Sequence, residues 1–191
     1  PEDGVIEVDL RDNPDCLPCG LNLSQACTES SVLLGIFNSI QEDVPTNAGS
    51  LRRVKMHLRE NCVVGIPRHP TSCSVATTNV ADRVGNAVQR AIAELGDGYG
   101  MASAGSLIGV ISGSSEKTSG PYVNQIFLGW GGGAAGPQVD AWISIGHIGN
   151  AGGSYQDSIE LDEMRFPMHI TGRHFITDSG GAGRTRGGGL L

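Results

Sequence analysis

Asn79-Val80-Ala81-Asp82-Arg83-Val84-Gly85-Asn86-Ala87-Val88-Gln89-Arg90-Ala91-Ile92-Ala93-Glu94-Leu95-Gly96 divides the chain into two kinds of sequence. Val80, Val84, Val88, Ile92 and Leu95 recur at steps of four and three, which places them along one side of a helix. Asn79 and Asp82 suit its N-terminal turn, and Gly96 is its expected stop. Upstream the pattern holds a second helix. Downstream, glycine-rich turns alternate with short β-like runs.

Working outward, Val5 to Leu10 alternates apolar and acidic residues, as a half-buried strand does. Residues 11–20 carry Pro and Asp and read as a loop. From Ser24, a reasonable N-cap, the chain reads as a helix: Leu23, Ala26, Cys27, Leu33, Leu34, Phe37 and Ile40 recur at helical spacing, with Val32 and Ile36 widening the stripe. Pro45 to Ser50 is a turn, and Leu51 to Leu58 is a strand with Val54, Met56 and Leu58 on one face. Ile66-Pro67-Arg68-His69-Pro70 is extended, because a residue before proline is driven out of the helical region. Past Gly96 the expected strands are Leu107–Ile111, Tyr122–Leu128, Ala141–Ile145, Ile159–Met164 and His169–Ile176. An α+β fold follows, with a helix-bearing first half and a glycine-rich, strand-dominated second half. With 191 residues and no dividing linker, residues 1–191 read as one domain or part of one.

The 29 glycines follow no fixed period, which excludes collagen and solenoids. A net charge of −7 argues against general nucleic-acid binding, although Arg52, Arg53, Arg59 and Arg68 form a local basic cluster. No apolar run has the length of a membrane span, and nothing at the start resembles a secretion signal. The five cysteines are an odd set, which with no signal implies reduced thiols and a cytoplasmic location. Cys16-Leu17-Pro18-Cys19 has zinc or redox spacing but no second pair to complete a tetrahedral site; packed or loop thiols are the default. The opening Pro1 and the glycine run before Leu190 carry the expectation of an excerpt from a longer polypeptide.

Two stretches imitate nucleotide sites. Gly131-Gly132-Gly133-Ala134-Ala135-Gly136 matches GxGxxG by letter, but Pro137 and a strand-like run follow where a dinucleotide loop needs a helix. Tight backbone packing explains these glycines better. Lys117-Thr118 follows Glu116, not glycine, so no P-loop is formed. Among five histidines, His147 lies between glycines in Gly146-His147-Ile148-Gly149-Asn150 and is the best solitary candidate for acid/base work; a structural or solvated histidine is the competing reading. Asp157, Glu160, Asp162 and Glu163 read as a solvated acidic strand edge before a catalytic pair. The terminal run from Asp178 through Arg184 and Arg186 to Gly189 has two readings. One is a loop that meets an anion, a carboxylate or another subunit; the other, favoured by composition, is a flexible solvated tail.

Several blocks in order resemble one family: Val8-Asp9-Leu10, Pro45 to Arg52, Thr78 to Arg83 leading a helix, the glycine block 129–136, and Asp178 to Gly188. Together they resemble the B subunits of the hydantoinase/oxoprolinase family, which includes N-methylhydantoinase B, the C-terminal half of 5-oxoprolinase, and acetone and acetophenone carboxylase-related subunits. The resemblance implies a subunit of an ATP-dependent cyclic amide hydrolase. ATP and Mg2+ are expected on a hydantoinase A-like partner subunit, which phosphorylates the substrate oxygen in a hetero-oligomer. A divalent metal is implied for a His- and Asp-containing region that does not stand in this chain. An ATP-dependent ketone carboxylase subunit is the alternative enzyme, and a non-catalytic assembly subunit the alternative from another class.

On the residues present, His147, Asn47 and Asp82 are the catalytic candidates; Arg52, Asn79, Asn150, Asp178 and Arg184 are the substrate-binding candidates. Asn47 and Asn79 offer amide donors for a carbonyl or phosphoryl oxygen, and Arg52 and Arg184 offer bidentate clamps. Each has a structural competitor: Asn47 in its turn, Asn79 as a cap, Asp82 as a dipole partner.

Overall fold

The computed structural model describes residues 4–40, 43–104, 110–124, 131–143 and 157–190. They fall into two compact units, Pro1–Ser103 and Ala104–Leu191. Helices and small sheets coexist, as an α+β chain requires.

In the first unit, β1 (Ile6–Asp9) pairs in parallel with β2 (Val54–His57), Ile6 opposite Val54 and Val8 opposite Met56. The alternation in sequence turns Ile6, Val8, Val54 and Met56 toward the core and leaves Glu7, Asp9 and Lys55 exposed. Two 13-residue helices, α1 (Gln25–Phe37) and α4 (Ala81–Ala93), pack on each other, with the short helices α2 (Ala48–Leu51) and α3 (Ala76–Asn79) between them in sequence. The core is Leu23, Val32, Ile36, Cys62, Val64, Ala76, Val84, Val88 and Ile92.

Ser24 caps α1 as its sequence requires, its hydroxyl accepting the Cys27 N–H at 3.3 Å. The buried face of α1 is not the leucine-rich one. Thr28, Ser31, Val32, Gly35 and Ile36 point inward, while Leu33, Leu34 and Phe37 are half-buried. Close approach to α4 selects the small side chains: a Cβ on Gly35 would lie 2.8 Å from the Gly85 carbonyl oxygen and from Val88 Cβ. Ser31 satisfies its buried hydroxyl by donating to Cys27 O at 2.7 Å.

The loop holding Cys16 and Cys19 is built around the fully buried Asn22. Its amide oxygen accepts Leu17 N–H at 2.7 Å, and its nitrogen donates to Leu17 O, Cys19 O and Ser72 O at 2.7–3.0 Å. Burial raises the Cys16 thiol above its ordinary pKa, with the nearby Cys62 and Cys73 adding to the shift. That is opposite to the thiolate a zinc or redox cysteine needs. Arg59, read in the sequence as part of a basic cluster, instead staples this loop to the strands, bonding to Arg11 O at 2.8 Å, Asn61 O at 3.0 Å and the Asp15 carboxylate at 2.7 Å.

In the second unit, β3 (Ile111–Ser115) and β4 (Gly120–Asn124) form an antiparallel hairpin through a 3-10 turn at Glu116–Thr118. The expected strand Ile159–Met164 is instead a helix, α5 (Ile159–Arg165). Ser158 caps it by accepting Leu161 N–H at 3.3 Å, and Glu160 and Asp162 in its first turn complement the helix dipole. The alternation of Ile159 and Leu161 with acids imitates a strand, but the capping chemistry decides the conformation. Residues 169–176 and 141–143, also expected as strands, join no ladder among the described residues. Residues 107–109, 125–128, 144 and 145 of the expected strands lie outside the described residues. No helix among the described residues is long and apolar enough to cross a membrane.

Candidate functional site

The terminal glycine run is a braid of backbone. Gly188 N–H donates to Gly133 O at 3.1 Å, and Gly133 N–H donates to Trp142 O at 2.9 Å. Gly187 N–H donates to Gly181 O at 3.0 Å, and Ala141 N–H to Arg186 O at 2.8 Å. Ser179 closes the far end, its hydroxyl donating to Ile176 O at 2.7 Å and accepting Leu190 N–H at 2.8 Å. A Cβ on Gly188 would fall within contact of Trp142 O and 2.7 Å from Gly133 N; one on Gly180 would meet Gly187 O at 2.5 Å. Only glycine lets these chains approach so closely. A packed double strand of main chain therefore replaces the flexible tail that composition favours, and the glycines at 131–136 serve backbone packing, with no helix following them.

The arginines of the braid divide their work. Arg186 pairs with Asp178 Oδ1, while its backbone N–H donates to Asp140 Oδ1 at 2.7 Å. Asp178 sits at φ +58, in the left-handed region that Asp tolerates better than most residues. Arg184 makes a longer bond, 3.3 Å, to Pro137 O and is exposed. Thr185 between them donates to Gly136 O at 2.7 Å. Asp178 thus orients Arg186 and leaves Arg184 the more available guanidinium. Asp140 went unnoticed in the sequence, since its role depends on residue 186 reaching it across 46 positions.

The remaining described candidates lie in the first unit. Asn47 caps α2 in a reciprocal box: its side-chain oxygen accepts Gly49 N–H at 2.8 Å and Ser50 N–H at 3.4 Å, and Asn47 N–H donates to Ser50 Oγ at 3.3 Å. Arg52 folds back on the same helix, Nε donating to Ala48 O at 2.9 Å. Asn79 ends α3 and donates to Val75 O at 3.2 Å; it does not cap α4, which has Val80 at its N-cap and no side-chain cap. Asp82 is buried in the first turn of α4. These four are engaged in local backbone geometry or burial. His147 and Asn150 lie outside the described residues.

In the second unit Asp162, expected on a solvated acidic strand edge, is instead buried on a helix and paired. Asn124 donates to Asp162 Oδ1 at 2.9 Å, with both residues buried. Lys117 Nζ donates to the Glu163 and Phe166 carbonyls, and the Tyr122 and Phe166 rings stack tilted at 5.7 Å. Lys117 is therefore a C-terminal helix cap and offers no phosphate cradle. Glu163 accepts Ile170 N–H at 2.7 Å and pairs with His169 Nδ1 at 2.9 Å; the Ile170 bond above all, then His169 and Lys117, holds its carboxyl below the usual range.

The resemblance places ATP, Mg2+ and the divalent metal outside this chain, and the described residues form neither a dinucleotide loop nor a metal cluster. The glycine block starts no helix, so it lacks the N-terminus that binds a pyrophosphate. No three His, Cys, Asp or Glu side chains among the described residues come together as a cation would need.

The sequence pattern of the Hydantoinase B/oxoprolinase family matches residues 1–189. The chain is 29% identical over 182 residues to caprolactamase subunit beta of Pseudomonas jessenii, covering 94% of this chain and 31% of that protein. It is also 29% identical over 193 residues to the uncharacterized protein MJ0963 of Methanocaldococcus jannaschii, covering 98% of this chain and 32% of that one. The crystal structure of the ATP-dependent caprolactamase from Pseudomonas jessenii superposes with a TM-score of 0.78 at 26% identity, over 96% of this chain and 32% of that chain. The chain thus spans about a third of the length of these relatives.

Proposed function

The chain belongs to the hydantoinase B/oxoprolinase family, and from that premise we propose that it acts within the B-type subunit of an ATP-dependent cyclic amide hydrolase. The observation that carries this reading is the likeness to caprolactamase subunit beta along nearly the whole chain, in sequence and in fold. A hydantoinase A-like partner consumes ATP with Mg2+ and phosphorylates the amide oxygen in a hetero-oligomer. That step converts an unreactive amide carbon into an electrophile; water adds to it, the C–N bond breaks as the ring nitrogen takes up a proton, and a second water hydrolyses the resulting acyl phosphate to carboxylate and free phosphate.

In this reading, the glycine braid holds Arg184 against the anionic oxygens of the activated substrate, with Asp178 fixing the loop through Arg186. His147 moves the proton between attacking water and departing nitrogen, and Asn150 donates to the substrate oxygen. Within the first unit, Asn79 offers an amide donor and Arg52 a guanidinium. Asn47 and Asp82 act by holding α2 and α4 in place.

The test is reconstitution of the subunit containing this chain with its ATP-binding partner, scoring ATP consumed and ring-opened product on a lactam or hydantoin. Lactam-dependent ATP turnover is expected. His147→Ala lowers kcat by about 100-fold or more, and Arg184→Ala raises KM. Turnover only with a ketone and bicarbonate would overturn the hydrolase reading. Unchanged turnover in both variants would move this chain to an assembly role.

A further inference from the structure

In the first unit, a cavity of about 600 Å3 opens between β1 and α4. This is within the size range of small-molecule sites. Val84, Val88 and Ile92 form its floor, and Val8 and Leu10 one wall. Along its open side run Arg83, Ala87 and Ala91, four residues apart on α4, and Leu95 just past its C-cap, all exposed. The two alanines leave the groove room, and from Arg83 to Leu95 it follows the helix for about 18 Å.

Three charged residues border this space, and two of them are already neutralised. Glu7 bonds to Lys55 at 3.2 Å and lies 3.4 Å from His57; Asp9 accepts both Arg11 Nε at 3.0 Å and Arg11 Nη2 at 2.7 Å. Arg83 has no hydrogen bond or ion pair among the described residues. The groove is thus an apolar trough with one uncompensated guanidinium at its end. None of the described candidate catalytic or substrate-binding residues lines it.

We propose that this groove binds a free aliphatic monocarboxylate, its alkyl chain lying along Ala87, Ala91 and Leu95 and its carboxylate paired with Arg83. The alkyl chain exchanges water for Val84, Val88 and Ile92, which supplies affinity. The guanidinium supplies the choice of an anion over a neutral or cationic head.

The test is titration of the whole subunit containing this chain with decanoate, decanol and decylammonium below their aggregation thresholds, by calorimetry. One saturable site is expected, with decanoate favoured over decanol by about fivefold, as an exposed ion pair allows. Arg83→Gln removes that preference while leaving decanol binding in place. Ala91→Phe, at an exposed position where the fold tolerates bulk, fills the trough and abolishes both. Absence of a saturable site, equal affinity for decanoate and decanol in the unsubstituted chain, or binding unaffected by Ala91→Phe would each overturn the proposal. Protection of an Ala91→Cys thiol from maleimide without ligand would also overturn it, since polypeptide would then occupy the groove.

Discussion

The first unit is held together by side chains, and the glycine braid of the second by main chain. In the first, α1 and α4 bury Val32, Ile36, Val84, Val88 and Ile92 against each other and against the strand pair. In the second, residues 131–143 and 176–190 meet through amide-to-carbonyl bonds at distances that leave no space for a Cβ. The same operation, changing one side chain, therefore has opposite meanings in the two. Removing atoms damages the first region, and adding them damages the second.

The sharpest test of that contrast is Gly188→Ala. Its new Cβ meets backbone on two sides, which cannot rotate away as a side chain would, and the expected loss is more than about 3 kcal/mol. Both tryptophans, Trp130 and Trp142, belong to the second unit, so their fluorescence in a denaturant titration reads the effect. Ile36→Ala is next, with an expected loss of about 2–5 kcal/mol from the emptied core, read by far-UV circular dichroism of the helices. If both variants shifted both probes equally, the two regions would not differ in the way described.

Asn47→Ala removes a reciprocal cap and is expected to cost about 1 kcal/mol, while Asn47→Ser, which can still cap, costs a fraction of that. A purely catalytic asparagine would lose activity in both variants with no change in melting. The smallest effect belongs to Glu163. Its carboxyl is held low by the Ile170 amide and by His169, so its contribution is full above its ordinary value near 4.5 and fades as pH falls through the folded value. Glu163→Gln should flatten the acid limb of the stability curve by lowering the neutral-pH plateau by the same small amount, small because the group is only half-buried and partly screened.

What local sequence encodes follows the same division. Helix α4 was legible because periodic valines, an acidic first turn and Gly96 agree at one place. The cap of α1 was legible for the same reason, but its inward face was not, since closeness to Gly85 outweighs hydrophobicity there. The helix at Ile159–Arg165 was hidden by an alternation that mimics a strand over four residues. Within the candidate site, the amide of Asn47 was recognised, yet its capping box depends on Ser50 turning its hydroxyl back. Asp178 was placed beside an arginine, but which arginine depends on the path of the loop.

By itself the amino-acid order determined what neighbouring residues decide between themselves: the main helices, the first strand, the rejection of phosphate-binding loops, and the family. Tertiary structure alone decided which glycines carry contact and which guanidinium is left over. Those outcomes turn on partners such as Gly133 and Gly188, or Asp140 and Arg186, that lie dozens of positions apart. Glycine has no side chain by which a pattern could announce its neighbour, so only the folded backbone shows what each one is for.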